Sequence, residues 1–452
     1  MTILVIHLAT LLGGALAVLL SAEILRARRP PAATLGWLLF MLLLPWLAIP
    51  LYLGLGSRKL SPATETKASM FPDAKKPLAN TDCLEQVLAN AGIPYAISGN
   101  RTNFHADGAQ AQSAILALIA DSRINLDLCI FLMADDTAGK RIIAELLMAA
   151  GRGVKVRLLL DGVGSFLLSR RRLRTLSDAG IEVAWFIPLL HRPFRGRTNL
   201  RNHRKLVIAD NTHAWLGGRN LAREYFADDR IWIDLSFDIE GPAVERLSHV
   251  FAADWHFATG TSSVVHPSAR PVGTRSIQVI PSGPDIPGEP LHDLLLTAIY
   301  QAQSRILAVT PYYVPDEGLQ RALCLAAMRG VQVELILPRR SNHRLADIAR
   351  SRYLRELVRS GVQVSLVPDS MLHAKALVVD DGVALSGSAN LDLRSLFLNF
   401  ELVCLFRDRE DVHTLAAWID QLRNNAADYV PAPAGRMREI LEGLVLLLAF
   451  QL

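Results

Sequence analysis

The sequence predicts an α/β chain of two pseudo-symmetric α/β/α halves that share one active site, preceded by an N-terminal transmembrane helical hairpin. Three observations predict this. First, residues 203–220, HRKLVIADNTHAWLGGRN, recur at 373–390 as HAKALVVDDGVALSGSAN. Both stretches obey H-x-K-x4-D-x6-G-[GS]-x-N without a gap, the mark of a duplicated module. Second, strand-like and helix-like segments alternate ahead of each copy. Third, two long apolar runs stand near the N-terminus.

Each repeat has the same approach. GVKVRLLLD (153–161) and AGIEVAWF (179–186) precede the first copy; GVQVELILP (330–338) and SGVQVSLVP (360–368) precede the second. Each apolar piece reads as a buried strand following a helical stretch that ends in Gly. Such alternation argues for halves with largely parallel central strands. Asp381-Gly382 separates LVV from VALS and is a hairpin signal. In a strand, residues i and i+2 face one side, so His203 projects with Lys205 and His373 with Lys375. The paired small residues before Asn220 and Asn390 indicate a close backbone approach.

The first apolar run, ILVIHLATLLGGALAVLLSA (3–22), is broken only by His7. Twenty helical residues reach about 30 Å, the thickness of a bilayer core. A cleavable signal peptide fits less well, since no Lys or Arg precedes Arg26 and the run exceeds a usual apolar core. The second run, 35–56, contains Pro45 and Pro50, which membrane helices tolerate. Trp37 and Tyr52 are expected near its two ends, as interfacial aromatics. Arg26, Arg28, Arg29 and Pro30-Pro31 form a basic turn between the runs. Arg58, Lys59, Lys67, Lys75 and Lys76 follow the second run, so the positive-inside rule does not choose an orientation. The expected divisions are a two-helix anchor (1–58), a linker (59–100) with a short helix near 81–91, a first half (101–268), a second half (269–430) and an apolar tail (431–452).

Composition agrees with a greasy segment fused to an ordinary globular part. The 452 residues are 51% hydrophobic and 20% charged, with a mean hydropathy of +0.25. This excludes disorder and collagen-like character, and so much charge excludes a chain lying mostly in lipid. The net charge of +5 is mild and compatible with an anionic partner. Cys83, Cys129, Cys324 and Cys404 are far apart and form no CxxC pair, so neither a disulfide scaffold nor a zinc ribbon is supported.

Two His-Lys-Asn sets brought face to face would supply two imidazoles and two ammonium groups. That set suits a phosphodiester. One His can attack phosphorus, and the other can protonate the departing oxygen and then deprotonate the incoming hydroxyl. Lys205, Lys375 and the amides of Asn220 and Asn390 would stabilise the charged transition state. The chemistry calls for no metal and no cofactor, and His-x-Lys is a poor metal motif because the ammonium repels a cation.

The repeated motif resembles the HKD signature of the phospholipase D superfamily. The wider context is similar to bacterial cardiolipin synthases: VRLLLDGVGS (156–165), NLRNHRKLVIAD (199–210), FAADW (251–255), PSGPD (281–285), TPYYVPD (310–316), MLHAKALVVDD (371–381) and GSANLDLRSLFLNFEL (387–402). The hairpin fits as well. The resemblance implies phospholipase D-like halves and phosphatidyl transfer between two phosphatidylglycerol molecules, giving cardiolipin and glycerol through a phosphatidyl-histidine. It makes His203, Lys205, Asp210, His373, Lys375 and Asp380 the catalytic motif set, with His203 the nucleophile and His373 the acid and base, an assignment the pseudo-symmetry permits to be exchanged. A structural role is expected for Asp210 and Asp380. Asp234 and Glu401, at similar distances after Asn220 and Asn390, would orient the imidazoles. The expected partner is phosphatidylglycerol in an anionic membrane, with the chain multi-pass in the bacterial cytoplasmic membrane. No nucleic-acid partner is expected, and an oligomer is compatible with the sequence.

Other features are less specific. No acid lies between Glu182 and Asp210, whereas Arg192, Arg195, Arg197, Arg201, Arg204 and Lys205 do, a basic patch that could draw in lipid headgroups. Arg170, Arg171, Arg172 and Arg174 read as a solvated helix face. Tyr312 and Tyr313 either wall an acyl entrance or pack. The tail 437–452 is too short to span; it either docks on the protein or lies in the interface, and the apolar tail of the resembling family favours membrane contact. Three alternatives stay open: a phospholipase D, a transferase with another donor such as phosphatidylethanolamine, and an HKD nuclease. Two membrane runs and the lack of an aromatic-basic groove count against the last.

Overall fold

The computed structural model describes residues 2–26, 31–56, 70–71, 82–188, 199–226, 232–262, 265 and 270–446, without the side chains of 2–10, 31–32 and 55. The chain forms two compact units, residues 1–60 with 189–200 and residues 61–188 with 201–452.

The first unit holds α1 (Thr2–Arg26), α2 (Pro31–Leu43) and α3 (Pro45–Leu55). The second apolar run, expected as one span, is therefore two helices. A proline disfavours helical geometry in the residue before it, and Leu44 sits at φ −138°, ψ 58°. The break turns the run back on itself. Trp37 and Tyr52, expected at opposite ends of a span, instead meet edge to face at 5.1 Å. Ile24, Met41, Ala48, Ile49 and Tyr52 form a small core, while Leu11, Leu12, Val18, Leu19, Leu42 and Leu43 are exposed. Among the described residues, no helix is long and apolar enough to cross a membrane. The basic turn at 27–30 and most of the linker lie outside the described residues.

The second unit opens with α4 (Cys83–Asn90), the helix expected near 81–91. The first half runs β1 (Ile97–His105), α5 (Gly108–Asp121), β2 (Asn125–Ile130), α6 (Thr137–Gly151), β3 (Lys155–Asp161) and α7 (Arg170–Asp178). It continues with β4 (Glu182–Phe186), β5 (Lys205–Ala209), β6 (His213–Gly217), β7 (Ser236–Glu240) and α8 (Val244–Thr259). The second half runs β8 (Arg275–Ser282), α9 (Pro290–Gln301), β9 (Arg305–Val309), β10 (Tyr313–Val314), α10 (Glu317–Met328), β11 (Gln332–Pro338) and α11 (Arg344–Arg359). Next come β12 (Gln363–Val367), β13 (Ala376–Val379), β14 (Val383–Gly387), β15 (Leu391–Asp392), α12 (Leu393–Phe397) and β16 (Glu401–Phe406). The chain closes with α13 (Arg409–Asn424), β17 (Ala427–Asp428) and α14 (Arg436–Leu446). β1 opens at Ile97, inside the stretch read as linker.

Among the described residues, fifteen strands form one sheet, in the order β17-β12-β11-β9-β13-β14-β16-β8-β1-β7-β6-β5-β2-β3-β4. The halves mirror each other about the junction of β1 with β8, which pair antiparallel at Ile97↔Ile277 and Asn100↔Arg275. β2, β3 and β4 are parallel, as are β9, β11 and β12. The strands from the motif onward are antiparallel, so the sheet is mixed where largely parallel centres were expected. The cause is local: each motif strand turns straight back, β5 into β6 and β13 into β14. The second turn is the hairpin signalled by Asp381-Gly382. Its left-handed residue is Asp380, at φ 52°, matched by Asp210 at φ 53°. Asp tolerates that region better than most side chains.

Strand alternation sorts the core. Leu126, Leu128 and Ile130 of β2 and Val156, Leu158 and Leu160 of β3 share one cluster with Ile115 of α5 and Ile142 and Leu146 of α6. α8 covers the opposite face, where Arg157 pairs with Asp127 at 2.7 Å and lies over Phe251 and Trp255. α5, α6 and α7 begin at Asp107, Asp136 and Ser169, whose side chains accept backbone N–H bonds as N-caps. α14 packs in an unusual sense. It buries Glu442, paired with Arg355, together with Val445, and exposes Met437, Ile440, Leu441 and Leu444.

Candidate active site

The motif histidines stand where the two halves exchange backbone bonds. The His203 N–H donates to the Phe400 carbonyl at 2.9 Å, and the Phe400 N–H donates to the Arg201 carbonyl at 2.9 Å. The same pattern recurs in the other copy. The Ile233 N–H donates to the Met371 carbonyl at 2.9 Å, and the His373 N–H donates to the Ile233 carbonyl at 2.7 Å. In each case the next residue is an acid. Glu401, from the second half, meets Nδ1 of His203 with both oxygens at 3.0 Å. Asp234, from the first half, meets Nδ1 of His373 at 2.7 Å. The pairs are crossed, so neither half holds a complete imidazole–carboxylate pair by itself. A carboxylate on Nδ1–H fixes the tautomer and leaves the Nε2 lone pair available.

Glu401 is itself held. Ser388 Oγ donates to it at 2.5 Å and Asn399 Nδ2 at 3.2 Å. Arg204 Nε donates to its main-chain carbonyl at 3.0 Å. Arg204 in turn donates to both oxygens of Asp254 at 2.6 Å, and Asn202 Nδ2 donates to the same carboxylate at 3.0 Å. Asp254 comes from the FAADW stretch. The variable [GS] position now has a physical reading. Ser388 reaches the longer Glu401. At Gly218 a Cβ would lie 2.2 Å from Asp234 Oδ1, so the shorter acid lies directly against the backbone.

The lysines are buried with the histidines. Lys205 Nζ donates to the His203 carbonyl at 2.7 Å. Lys375 Nζ donates to the His373 carbonyl and lies 2.7 and 3.2 Å from the two ring nitrogens. Burial, with the two ammonium groups, lowers the pKa of His203 to about 4 against the pull of Glu401. Burial and Lys375 lower that of His373 to about 3, against Asp234. Burial lowers Lys375 to about 8 and brings Lys205 well below its ordinary value. Burial works to raise Asp234, but Lys375, His373 and Arg219 bring it down to about 2. Glu401 is likewise raised by burial and lowered more by His203 and Lys205. Both imidazoles are therefore neutral at neutral pH, between anionic acids and a cationic Lys375.

Asn220 and Asn390 are buried beside this centre. Their amide groups donate to the Tyr225 hydroxyl at 2.8 Å and to Asp392 at 3.0 Å, while among the described residues their buried Oδ1 atoms have no hydrogen-bond partner. Asp210 and Asp380 lie elsewhere, at the far ends of β5 and β13, roughly 20 Å of extended chain from the histidines. Asp210 accepts the N–H groups of Arg123, Ile124 and Asn125; Asp380 accepts those of Gln303, Ser304 and Arg305. Burial would raise Asp380, and these donors hold it below the usual carboxylate range. Each motif aspartate thus starts the neighbouring strand and touches no imidazole.

Several sequence expectations change here. Arg201 and Arg204, read as part of a headgroup-attracting patch, are buried: Arg201 donates to the Ile187 carbonyl at 3.1 Å, and Arg204 is spent on Asp254 and Glu401. Arg192, Arg195 and Arg197 lie outside the described residues. Tyr313 packs, fully buried, with its hydroxyl donating to Gln320 at 2.8 Å. Tyr312 bonds to Asn342.

The aromatic walls were not foreseen. Phe131 meets the His203 ring at 4.9 Å. Tyr225 and Trp232 meet the His373 ring at 5.2 and 5.5 Å. A signal did exist for two supporting residues. Trp232 and Asn399 stand two positions before Asp234 and Glu401, and the i, i+2 spacing that pairs His with Lys in each motif would have singled them out.

Comparison with known proteins agrees with this geometry. The family model described as cardiolipin synthase, PLD-like domain matches residues 115–255 and 295–423. That described as phospholipase D-nuclease N-terminal matches residues 15–56. Cardiolipin synthase A of Pectobacterium carotovorum is 33% identical over 414 residues, covering 85% of each chain. Cardiolipin synthase A of Klebsiella pneumoniae is 32% identical over 423 residues, covering 87% of each. The crystal structure of a phosphatidylserine synthase from Haemophilus influenzae superposes with a TM-score of 0.62 at 15% identity, over 82% of this chain and all of that one, which is a likeness of fold. The duplicated motif, the crossed pairs and these relatives together show that the chain belongs to the phospholipase D-like cardiolipin synthases.

Proposed function

We propose that the chain transfers a phosphatidyl group from one phosphatidylglycerol to the free glycerol hydroxyl of another, releasing glycerol and forming cardiolipin. The crossed imidazole–carboxylate pairs are the observation that carries this reading. Nε2 of His203 attacks phosphorus and forms the P–N bond of a phosphatidyl-histidine, while the P–O bond to glycerol breaks. His373 gives its proton to the leaving glycerol oxygen. It then takes a proton from the incoming hydroxyl, whose oxygen displaces His203 from phosphorus. An entering phosphodiester brings the negative charge that favours the imidazolium of His373. Lys205, Lys375, Asn220 and Asn390 stabilise the phosphoryl oxygens. The Lys375 ammonium engages the ring nitrogens of His373 and ties up its lone pair, which leaves Nε2 of His203 the freer nucleophile and gives His373 the proton-transfer role. No lysine contact to the His203 ring is present among the described residues. One phosphodiester replaces another, so the exchange is nearly balanced in energy and needs no ATP.

We further infer that the N-terminal helices seat the chain as a multi-pass anchor in the bacterial cytoplasmic membrane. Their exposed leucines and the N-terminal family match support this. The outward apolar side of α14 supports interfacial contact by the tail.

Purified full-length protein in phosphatidylglycerol micelles should yield cardiolipin and glycerol in equal amounts; phosphatidic acid as sole product contradicts the transfer. With labelled lipid, protein quenched in alkali should carry the label on His203, located by peptide mapping, and His203→Ala should carry none. Label on His373 exchanges the roles. kcat/KM should fall on the alkaline side as Lys375 loses its proton near about 8. Activity undiminished to roughly pH 10, near the ordinary lysine value, contradicts a cationic role for Lys375. Alkaline carbonate should leave the protein in the membrane pellet, and its release would contradict the anchor.

A further inference from the structure

The turn that follows β3, residues 162–168, carries three exposed apolar side chains in five residues: Val163 at 37%, Phe166 at 57% and Leu167 at 76% exposure. Apart from α14, no other group of exposed large apolar side chains this close in sequence occurs among the described residues of the second unit. Single exposed leucines need no explanation, but a contiguous set does. Four arginines follow at once. Arg170, Arg171 and Arg174 are exposed, and Arg172 donates to Asp135 at 3.2 Å. Three of the four occupy the first turn of α7, where the helix dipole disfavours cations. Neither feature helps the fold, and together they make an apolar tip with a cationic collar.

The internal repeat provides a comparison. The loop in the same position after β11 reads Arg339-Arg340-Ser341-Asn342-His343 and has no apolar tip. The feature is thus not a requirement of the fold. It belongs to the half that carries His203.

The turn is also fastened to the site. Asp161 Oδ1 accepts the N–H groups of Val163 and Gly164 at 2.9 Å, and its Oδ2 accepts the N–H of Asn202 at 2.9 Å, one residue before His203. Ser165 Oγ donates to the Phe131 carbonyl at 2.9 Å. A Cβ at Gly164 would lie 2.1 Å from that same carbonyl oxygen. Phe131 is the ring against His203. The turn is therefore joined to His203 through Asn202 and Phe131, at the strand ends where α/β sheets bind ligands.

We infer that Val163, Phe166 and Leu167, with Arg170, Arg171 and Arg174, form the surface by which the catalytic unit sits on an anionic phospholipid bilayer, beside the His203 edge of the site. Apolar side chains enter the acyl boundary, and the arginines meet headgroup phosphates. This deepens the transferase reading and rests on it for the identity of the lipid.

The test uses the full chain in nanodiscs. Leu167→Cys, in a Cys83→Ser background, carries an environment-sensitive fluorophore, and a label at Val430, 81% exposed, is the control. In phosphatidylglycerol discs the label at 167 should emit to the blue and be quenched by acrylamide several-fold less than in phosphatidylcholine discs. The label at 430 should not change. Charge reversal at Arg170, Arg171 and Arg174 to Glu should return the label at 167 to its aqueous value, each cation accounting for about fivefold in surface affinity. Equal quenching of the two labels in phosphatidylglycerol overturns the inference, as does a buried label that ignores charge reversal. The readout is position and not turnover. Failure here with cardiolipin still formed overturns this surface alone, and a buried label without cardiolipin overturns the transferase reading alone.

Discussion

Each imidazole of the centre is oriented by a carboxylate from the other half, and that exchange constrains most of what surrounds it. Two short parallel bridges, at Phe400 and Ile233, bring His203 to Glu401 and His373 to Asp234. The fifteen-stranded sheet, continuous through β1 and β8, holds the two halves in the register these contacts need. A duplicated module could have kept each pair within one copy. Crossing them makes the joined form the one in which both imidazoles are oriented.

Burial sets the electrostatic consequence. The centre places two lysines and two acids out of water, and burying an unpaired charge is costly. Neutral imidazoles and anionic acids lessen that cost, and both lysines have lowered pKa values. Arg204 and Asp254 brace the same junction as a buried ion pair. Removing one partner of such a pair typically costs about 3–5 kcal/mol, because the other is left buried and charged. This bracing accounts for the FAADW stretch, which stands far from the motif in sequence and only one contact from Glu401 in space.

Much of this was legible in the sequence because duplication is a pattern that needs no structure to see. The repeat with its histidines, lysines and asparagines, the hairpin after β13 and the helix at 83–90 were readable from spacing and period, while the resemblance singled out Asp234 and Glu401. What was not legible depended on pairing across the chain. The crossing of the acids is a matter of which strand lies beside which. Arg201 and Arg204 read as surface cations because nothing local announces Asp161 or Asp254 as neighbours. The second apolar run looked like one span because hydropathy does not register the turn at Leu44. The parallel-sheet expectation failed because the motif strand, though apolar, returns at once through a three-residue turn.

The crossed pairing is tested most directly by histidine-selective nitrogen-15 NMR on the full-length protein, comparing Glu401→Gln with Asp234→Asn. Glu401→Gln should shift the tautomer signals of His203 and leave those of His373 in place, and Asp234→Asn should do the reverse. Signals that follow the acid within each half, His203 responding to Asp234 and His373 to Glu401, would contradict the crossed pairing.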